Sequence, residues 1–394
     1  MKTKLVLFFI LLFVIGCMST EKKVAQSDDG AIVIDINSAL KGEPRYLEDM
    51  IESVELIPLE TTEASIVGEG AFCIITDKYI YVNDIYENFQ GLIIFERNGK
   101  FVKRIFRGNG PNELPYFQHI FYTDGYLYVF GGQKLAKFTS GGDFIEYQQF
   151  NDLAIDIQKV GDVFLTIQPQ FQNYDRKFKV IEYDSDLKKV SEQSLAPIPF
   201  PNAFKSLSCV DGINCLVYRF ADNNIYNYSN GEFKVKYRLE YPDFEFRLTY
   251  EDYEKLPQEE QRISYSYLSK NMPKGQFIFS GYISNCDDYL IVSMLKGLWG
   301  ESVVYNKNTG KTWKKVNCKD DSPSIFGILG ESSNQNQVIG QKNSFYGTID
   351  IEDIEDCWQN NPNNLLSAKD IEILKNAKED DNPIIVIYKL KDNL

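Results

Sequence analysis

The chain has 394 residues, with 42 lysines and arginines against 56 aspartates and glutamates, and a formal net charge of −14. This length suits two domains or one large repetitive domain, and the acidic balance argues against a protein that holds nucleic acid by its phosphates. The single histidine, His119, excludes any site that needs two imidazole ligands, including most zinc hydrolase sites. Aromatic residues make up 14% of the chain, which favours β-sheet over helix bundles.

The N-terminus has the features of an export signal. Two lysines precede eleven apolar residues, Leu5 to Ile15, which as a helix would rise about 16 Å, roughly half the hydrocarbon core of a bilayer. The run ends in Val14-Ile15-Gly16-Cys17, which resembles the lipobox of bacterial lipoproteins. By this resemblance residues 1–16 are a signal peptide and Cys17 becomes the lipidated mature N-terminus. The alternative is an ordinary secretory signal that happens to contain a cysteine.

Residues 17–45 are predicted to comprise the lipidated cysteine and a flexible tether, because residues 18–30 are polar and unpatterned. No later segment is long and apolar enough to span a membrane. The sequence therefore predicts a protein that contacts the membrane through its lipid anchor only.

Six further cysteines follow, at positions 73, 209, 215, 286, 318 and 357. They form neither a CxxC motif nor a dense disulfide framework. Cys209 and Cys215 flank a tight turn and could face each other across a hairpin, whereas buried free thiols are expected for most of the six.

One pattern recurs along the chain: an apolar strand, a tight polar turn and another strand. An aromatic residue precedes each turn, at Phe95, Phe138, Tyr183, Tyr228 and Tyr305. The spacings between these aromatics are 43, 45, 45 and 77 residues, and the last equals one period plus an insertion of about 32. A repeat near 45 residues with four short strands is typical of a β-propeller blade.

The number of blades follows from a second set of strands. A short strand precedes each hairpin, and these strands number six: 79–84, 126–131, 163–168, 215–220, 289–294 and 344–349. Inner strands such as 71–76, 119–124 and 277–283 precede them. The sequence therefore predicts an all-β fold, a six-bladed β-propeller of four-stranded antiparallel blades over residues 46–394. A pair of β-sandwiches with similar turns would explain neither the even spacing nor the count of six.

The sixth blade lacks a strand of its own. Its predicted strands lie near 325–330, 344–349 and 383–390. The N-terminal segment 53–60, or less favourably 31–36, is expected to supply the fourth strand and close the ring.

Two insertions are predicted to be helical. Residues 241–275 contain Thr249-x-x-Asp252 and residues 351–382 contain Ser367-x-x-Asp370, both of which are N-cap signatures. In the second insertion, Ile371 and Leu374 are expected on one side of a short helix.

The order of several motifs resembles that of the six-bladed β-propeller lipoproteins of Bacteroidota, which are distantly similar to NHL-repeat proteins. These motifs are the lipobox, IPLETT (57–62), FERNGKF (95–101), GNGPNE (108–113) and NPIIVIYKL (382–390). The resemblance spans essentially the whole mature chain and implies a fold and a location. It transfers no catalytic residue, because the family has no established general activity. In the resembling proteins a further glycine typically follows the proline of this motif, and here that position is Asn112. The backbone of the loop therefore has fewer accessible conformations.

The resemblance also implies an outer-membrane lipoprotein of the cell envelope. Surface-exported lipoproteins of these bacteria tend to carry an acidic run just after the cysteine. Residues 18–23 hold one acid and two lysines, so the periplasmic side is slightly favoured.

The long connections are predicted to emerge on one face of the ring. In a four-stranded blade the second-to-third and outer-to-next-inner loops share a face, and the long loops here (83–90, 108–117, 168–177, 196–204, 294–300) and both insertions are of these two kinds. A rigid scaffold with loops enlarged on one face is the usual layout of a binding surface. Insertions that are merely tolerated at the surface are the alternative.

Polar and aromatic side chains of these loops and of the channel mouth are the candidate ligand-binding residues: Asn88, Arg107, Asn109, Glu113, Tyr116, Phe117, His119, Tyr174, Arg176 and Trp299. Aromatic rings beside planar polar groups suit sugars, and they equally suit a peptide or a partner protein. For Arg107 and Glu113, a structural Gly-Pro turn is favoured over a ligand site. A lone histidine such as His119 is more often a packed, hydrogen-bonded residue than a base.

The sequence thus predicts a non-enzymatic, lipid-anchored binding or interaction module for a glycan, a peptide or an envelope protein, without cofactor or metal. No nucleophile elbow, phosphate loop or calcium loop motif occurs. One alternative is a hydrolase or lyase that acts on a saccharide through carboxylates at the channel mouth, with Glu113 as first candidate. Another is a structural component of an outer-membrane complex.

Overall fold

The computed structural model describes residues 26–394 with internal gaps. The gaps are 69–70, 85–90, 109, 111–112, 115–116, 132, 169–176, 199–205, 210–211, 248, 258–263, 297–298, 318–336, 350, 352–353, 355–360 and 393. The side chains of residues 264–266, 269, 299 and 337 also lie outside the described part.

An N-terminal segment of short elements precedes the first repeat. In chain order it comprises β1 (Ile32–Asp35), α1 (Ile36–Lys41), β2 (Arg45–Tyr46), α2 (Leu47–Met50) and β3 (Ile51–Pro58).

Five runs of four consecutive strands follow, and each run forms an antiparallel blade in which sequence neighbours pair. Blade 1 comprises β4 (Phe72–Ile75), β5 (Tyr79–Asp84), β6 (Gly91–Glu96) and β7 (Phe101–Phe106). Blade 2 comprises β8 (His119–Thr123), β9 (Tyr126–Gly131), β10 (Lys134–Thr139) and β11 (Phe144–Gln149). Blade 3 comprises β12 (Asp156–Val160), β13 (Val163–Gln168), β14 (Phe178–Tyr183) and β15 (Lys189–Leu195).

Blades 4 and 5 repeat this order. Blade 4 comprises β16 (Leu207–Cys209), β17 (Asn214–Val217), β18 (Asn224–Ser229) and β19 (Glu232–Glu240). Blade 5 comprises β20 (Ile278–Asn285), β21 (Tyr289–Lys296), β22 (Trp299–Asn306) and β23 (Thr312–Val316). The last strands are β24 (Gln337–Val338), β25 (Ser344–Ile349) and β26 (Ile384–Leu390).

The aromatic residue before each tight turn is a core residue, which explains why it recurs. The rings at all five positions are at most 5% exposed: Phe95, Phe138, Tyr183, Tyr228 and Tyr305. Each ring lies at the end of a third strand, where it packs between neighbouring blades. The aromatic residue therefore recurs once per blade because each interface between neighbouring blades, which we call a seam, needs one such ring.

Among the described residues, six of the seven clusters of buried apolar side chains each lie between two neighbouring blades, and together these six close a ring. The cluster between blades 1 and 2 includes Tyr81 and Phe138, and the cluster between blades 6 and 1 includes Tyr346 and Phe95. The other four clusters join blades 2 and 3, 3 and 4, 4 and 5, and 5 and 6. The six-bladed β-propeller predicted from the repeat is confirmed.

The ring is closed by β3, as the sequence predicts for residues 53–60. This strand pairs antiparallel with β26, from Ile384 opposite Pro58 to Leu390 opposite Ile51, and β26 pairs with β25. The predicted inner strand near 325–330 lies outside the described residues. The short β24 pairs parallel with β4, so that blade 1 gains a fifth strand from the chain that follows blade 5.

Residues 31–45 differ from the predicted flexible tether. The apolar side chains Ile34, Ile36 and Ala39 are at most 2% exposed and pack in the seam between blades 4 and 5. β1 pairs parallel with β19, and β2 pairs parallel with β23. The segment 31–36, the less favoured closing strand, therefore extends the outer edge of blade 4 instead. The polar residues 18–30 indicate a tether, whereas the apolar residues that follow them from Ala31 pack against the ring.

Both insertions contain the predicted helices. In the first, α3 (Tyr250–Glu254) and α4 (Ser264–Asn271) follow β19. In the second, a 3₁₀ turn (Pro362–Asn364) precedes α5 (Ala368–Asn376). Reciprocal capping boxes begin α3 at Thr249 and α5 at Ser367, as the spacing of their sequences indicates.

The connections divide between the two ends of the ring. The tight turns between third and outer strands lie at one end, which we call the turn face. The second-to-third and outer-to-inner connections, including both insertions, lie at the other end, which we call the long-loop face. Among the described residues, no helix is long and apolar enough to cross a bilayer.

Candidate functional site

Four of the ten predicted site residues are described with their side chains: Arg107, Glu113, Phe117 and His119. Trp299 begins β22, but its side chain is outside the described part. The other five predicted residues lie outside the described residues: Asn88, Asn109, Tyr116, Tyr174 and Arg176.

The Glu113 side chain forms a hydrogen bond within its own loop. Its Oε2 accepts a hydrogen bond from the backbone N–H of Gly110 at 2.7 Å, and the Gly108 N–H donates to the Leu114 carbonyl at 3.0 Å. A Cβ on Gly108 would lie 1.9 Å from Oε2 of Glu113, so a larger residue there would have to displace the Glu113 carboxylate. Glu113 is therefore hydrogen-bonded to Gly110 of its own loop, which agrees with the structural role favoured from the sequence.

Arg107 and Phe117 meet at the seam between blades 1 and 2. The Arg107 guanidinium lies 6.0 Å from the centroid of the Phe117 ring, which is 2% exposed. Asn83 lies beside this seam, since it pairs with Leu92 across β5 and β6, and Leu92 packs in the same cluster as Phe117. Among the described residues, Nε of Arg107 and both amide atoms of Asn83 are buried without a hydrogen-bond partner.

A buried carboxylate lies beside two arginines at this corner of the long-loop face. Asp84 is fully buried, and its Oδ2 accepts the Gly68 N–H at 3.2 Å. Arg104 donates to the carbonyl of Ile66. Burial lowers the pKa of both Arg104 and Arg107, and the Asp84 charge opposes that shift. Both guanidinium groups stay cationic, because arginine is effectively always protonated in proteins.

His119 is buried in a polar cluster of inner strands. It is 2% exposed, and its Nε2 lies 3.1 Å from Oδ1 of Asp156 and 3.2 Å from Nε2 of Gln158. Oδ2 of Asp156 accepts the backbone N–H groups of Ser206 at 2.8 Å and Leu207 at 2.9 Å. The cluster thus joins the first strands of blades 2, 3 and 4, which matches a packed, hydrogen-bonded histidine.

The described thiols are not nucleophiles. Cys209 and Cys215 form a disulfide across β16 and β17, where they are directly opposite each other. Cys73 and Cys286 are free and buried, and burial raises the pKa of Cys73 to about 12 and that of Cys286 to about 11. Both thiols are therefore protonated at neutral pH. Within the described chain, no three His, Cys, Asp or Glu side chains group as metal ligands.

The sequence reasoning missed Asn83, Asp84, Arg104 and Asp156. Asn83 and Asp84 end the apolar strand β5, and Asp156 begins an inner strand, so each polar residue stands where a buried residue is expected. A polar residue at a position expected to be buried is the sequence feature that could have identified them. The groups that contact these side chains come from other strands, and no spacing in the sequence predicts those contacts.

A solved structure of an exported protein shows the same fold. A crystal structure of a Bacteroides fragilis NCTC 9343 protein described as exported superposes with a TM-score of 0.70 at 15% identity, over 91% of this chain and 99% of that one. A protein of unknown function from Bacteroides caccae gives a TM-score of 0.40 at 13% identity, over 67% of this chain and 94% of that one. No curated protein matches the chain.

A family model covers almost all of the described chain. It matches residues 31–389, which run from β1 to the end of β26. The chain therefore belongs to the family described as a domain of unknown function, DUF4934.

Proposed function

We propose that this protein is a lipid-anchored β-propeller of the cell envelope that binds a glycan, a peptide or a partner protein on its long-loop face. The observation that carries the proposal is Arg107. Its guanidinium lies against Phe117, and its buried Nε has no hydrogen-bond partner among the described residues. A buried donor without an acceptor costs about 1–3 kcal/mol, which an oxygen of a bound ligand would recover.

The charge of the corner supports a ligand that presents oxygen acceptors. Arg104 and Arg107 lie beside a single buried carboxylate, Asp84, in a protein whose net charge is −14. Guanidinium groups pair with carboxylate, carbonyl or hydroxyl oxygens rather than with cations. The Arg107 guanidinium, which lies beside the Phe117 ring, can donate hydrogen bonds to these oxygen acceptors.

Two observations support an exported location. The Cys209–Cys215 disulfide is typical of proteins that fold in an oxidising compartment. The structurally similar Bacteroides fragilis protein is described as exported. We place the protein at the outer membrane as a lipoprotein, with the periplasmic side favoured over the cell surface.

A thermal-shift screen of the purified protein against oligosaccharides, peptides and calcium tests the binding proposal. A ligand at 100 times its Kd should add about 2.7 kcal/mol to the free energy of unfolding, a shift of a few degrees. We expect Arg107→Gln to abolish the shift produced by a hit. Lys188→Gln, a matched loss of charge at an exposed turn-face residue, should keep it.

The opposite pattern would contradict the proposal. A shift that survives Arg107→Gln and disappears with Lys188→Gln would place the ligand on the turn face. A hit from the oligosaccharide or peptide set would name the chemical class of the ligand, whereas a hit with calcium alone would contradict a binding site built on Arg107.

The lipid anchor is tested separately with Cys17→Ser. We expect the unaltered protein to sediment with membranes and to partition into detergent, and the variant to remain in the soluble fraction. A matched variant, Met18→Ser, should behave like the unaltered protein. Membrane association of the Cys17→Ser variant would exclude lipidation as the anchor.

A further inference from the structure

The N-terminal segment is bound along one side of the ring. β1 pairs parallel with β19 of blade 4, and β2 pairs parallel with β23 of blade 5. Ile34, Ile36 and Ala39 fill the seam between these two blades and are at most 2% exposed. The hydroxyl of Thr312 at the start of β23 donates to the Asp35 carbonyl at 2.8 Å. Residues 31–46, which we call the strap, are therefore part of the rim of blades 4 and 5.

The first described residues stay on the same rim. Gln26 forms an antiparallel bridge with Ile32, which pairs with Tyr237 near the middle of β19. Asp29 forms an ion pair with Arg238 of β19 at 2.7 Å. The described chain therefore begins at mid-height on the rim of blade 4.

This rim lies opposite the Arg107 corner. The strap packs in the seam between blades 4 and 5, and Phe117 packs in the seam between blades 1 and 2, which is three seams away in a ring of six. Arg107 directly follows β7, the outer strand of blade 1. Strands about 4.8 Å apart make a four-stranded blade about 14 Å wide, so opposite rims, with the channel between them, are about 40 Å apart.

The chain between Cys17 and the ring is shorter than this distance. Gln26 follows Cys17 by nine residues, which span at most about 30 Å when fully extended. If the strap were not bound to the ring, the chain from Cys17 to residue 45 would span up to roughly 100 Å. The packed strap therefore restricts which part of the ring can lie near a lipid on Cys17.

The apolar side chains on the surface would by themselves favour a different rim. Among the described residues, the outer strands of blades 1 and 2 expose Val102, Phe106, Ile145 and Tyr147 by 38% to 66%. If this rim contacted the bilayer, Gln26 would lie about 40 Å from the surface, beyond the reach of about 30 Å. The tether thus excludes the rim of blades 1 and 2 as the side that contacts the bilayer.

We propose that the strap orients the ring on the membrane, with the rim of blades 4 and 5 toward the lipid surface and the Arg107 corner away from it. The inference rests on the lipid anchor at Cys17 in the proposed function. A ring held at one point of its rim by a short tether loses the orientations in which it would overlap the bilayer, and its bulk therefore lies away from the surface. The net charge of −14 opposes flat contact with anionic lipids. The ligand of the Arg107 corner then approaches from the aqueous phase rather than from the bilayer that holds the anchor.

Energy transfer between the protein and the bilayer tests the orientation. A donor dye is attached through p-azidophenylalanine in place of exposed Glu43 in the strap or exposed Glu146 in β11. The lipidated protein is bound to vesicles of phosphatidylethanolamine and phosphatidylglycerol that carry acceptor dyes on their headgroups. We expect the transfer efficiency from position 43 to be at least twice that from position 146, because the two rims lie at different heights above the bilayer.

A longer tether is the matched control. Thirty Gly/Ser residues inserted after Thr20 leave the ring and the strap unchanged, and they should bring the ratio of the two efficiencies close to one. Equal transfer from both positions of the unaltered protein, or stronger transfer from position 146, would overturn the inference and leave the lipid anchor intact. If the unaltered protein does not bind the vesicles and sediments like its Cys17→Ser variant, the anchor itself is contradicted, and the orientation is overturned with it.

Discussion

Replacing Asp156 with alanine is expected to lower the free energy of unfolding by about 3–5 kcal/mol. The carboxylate is fully buried and accepts the backbone N–H groups of Ile157, Ser206 and Leu207 at 2.8 to 2.9 Å, besides its contact with His119. Alanine would leave these donors buried without an acceptor and would release the first strands of blades 2, 3 and 4 from one another. Urea unfolding followed by tryptophan fluorescence measures the loss.

Two variants make this measurement specific. Asp156→Asn keeps the shape and one oxygen acceptor, so its loss should be smaller than that of alanine. Asp162→Ala removes an exposed carboxylate from the adjacent turn and should change the free energy of unfolding by less than about 0.5 kcal/mol. A midpoint for Asp156→Ala equal to that of Asp162→Ala would show that the buried carboxylate does not hold the inner strands.

Replacing Asn382 with alanine is expected to cost about 2–4 kcal/mol, because its side chain joins the two ends of the chain where the ring closes. Its Oδ1 accepts the Val67 N–H at 2.8 Å. Its Nδ2 donates to the carbonyls of Glu60 and Ser65, both at 2.9 Å. The side chain is 4% exposed, so water cannot replace these three hydrogen bonds.

Thermal and urea unfolding of the Asn382→Ala variant measure this effect. Asn376→Ala, at the exposed end of α5, is the matched control and should stay within about 0.5 kcal/mol of the unaltered protein. If Asn382→Ala unfolds at the same midpoint as Asn376→Ala, the ring closes without this contact and β3 pairing alone is sufficient.

The Asn382 contacts give a structural reason why the motifs IPLETT and NPIIVIYKL occur in the same chain. IPLETT ends β3 and continues to Glu60 and Thr61, and NPIIVIYKL begins at Asn382 and forms β26. The Asn382 N–H donates to Oγ1 of Thr61 at 2.8 Å. Motifs more than three hundred residues apart in sequence thus share one structural role, the closure of the ring.

Fewer features of the candidate site than of the fold could be predicted from the sequence. The sequence predicts Glu113 as a candidate ligand residue with a structural turn favoured, and its hydrogen bond to the Gly110 N–H agrees with the turn. Asp84 and Asp156 were not identified, since a buried carboxylate is recognised by the groups that surround it. For Asp156 those groups come from three different blades.

The sequence by itself determined the number of blades, the strand that closes the ring and the caps of both inserted helices. The number of blades follows from the repeat of about 45 residues, the closing strand from the strand that the sixth blade lacks, and each cap from the Ser/Thr-x-x-Asp spacing. Only the tertiary structure decided the course of residues 31–45 along blades 4 and 5 and the pairing of His119 with Asp156. These depend on contacts between segments far apart in the chain, which no local pattern encodes.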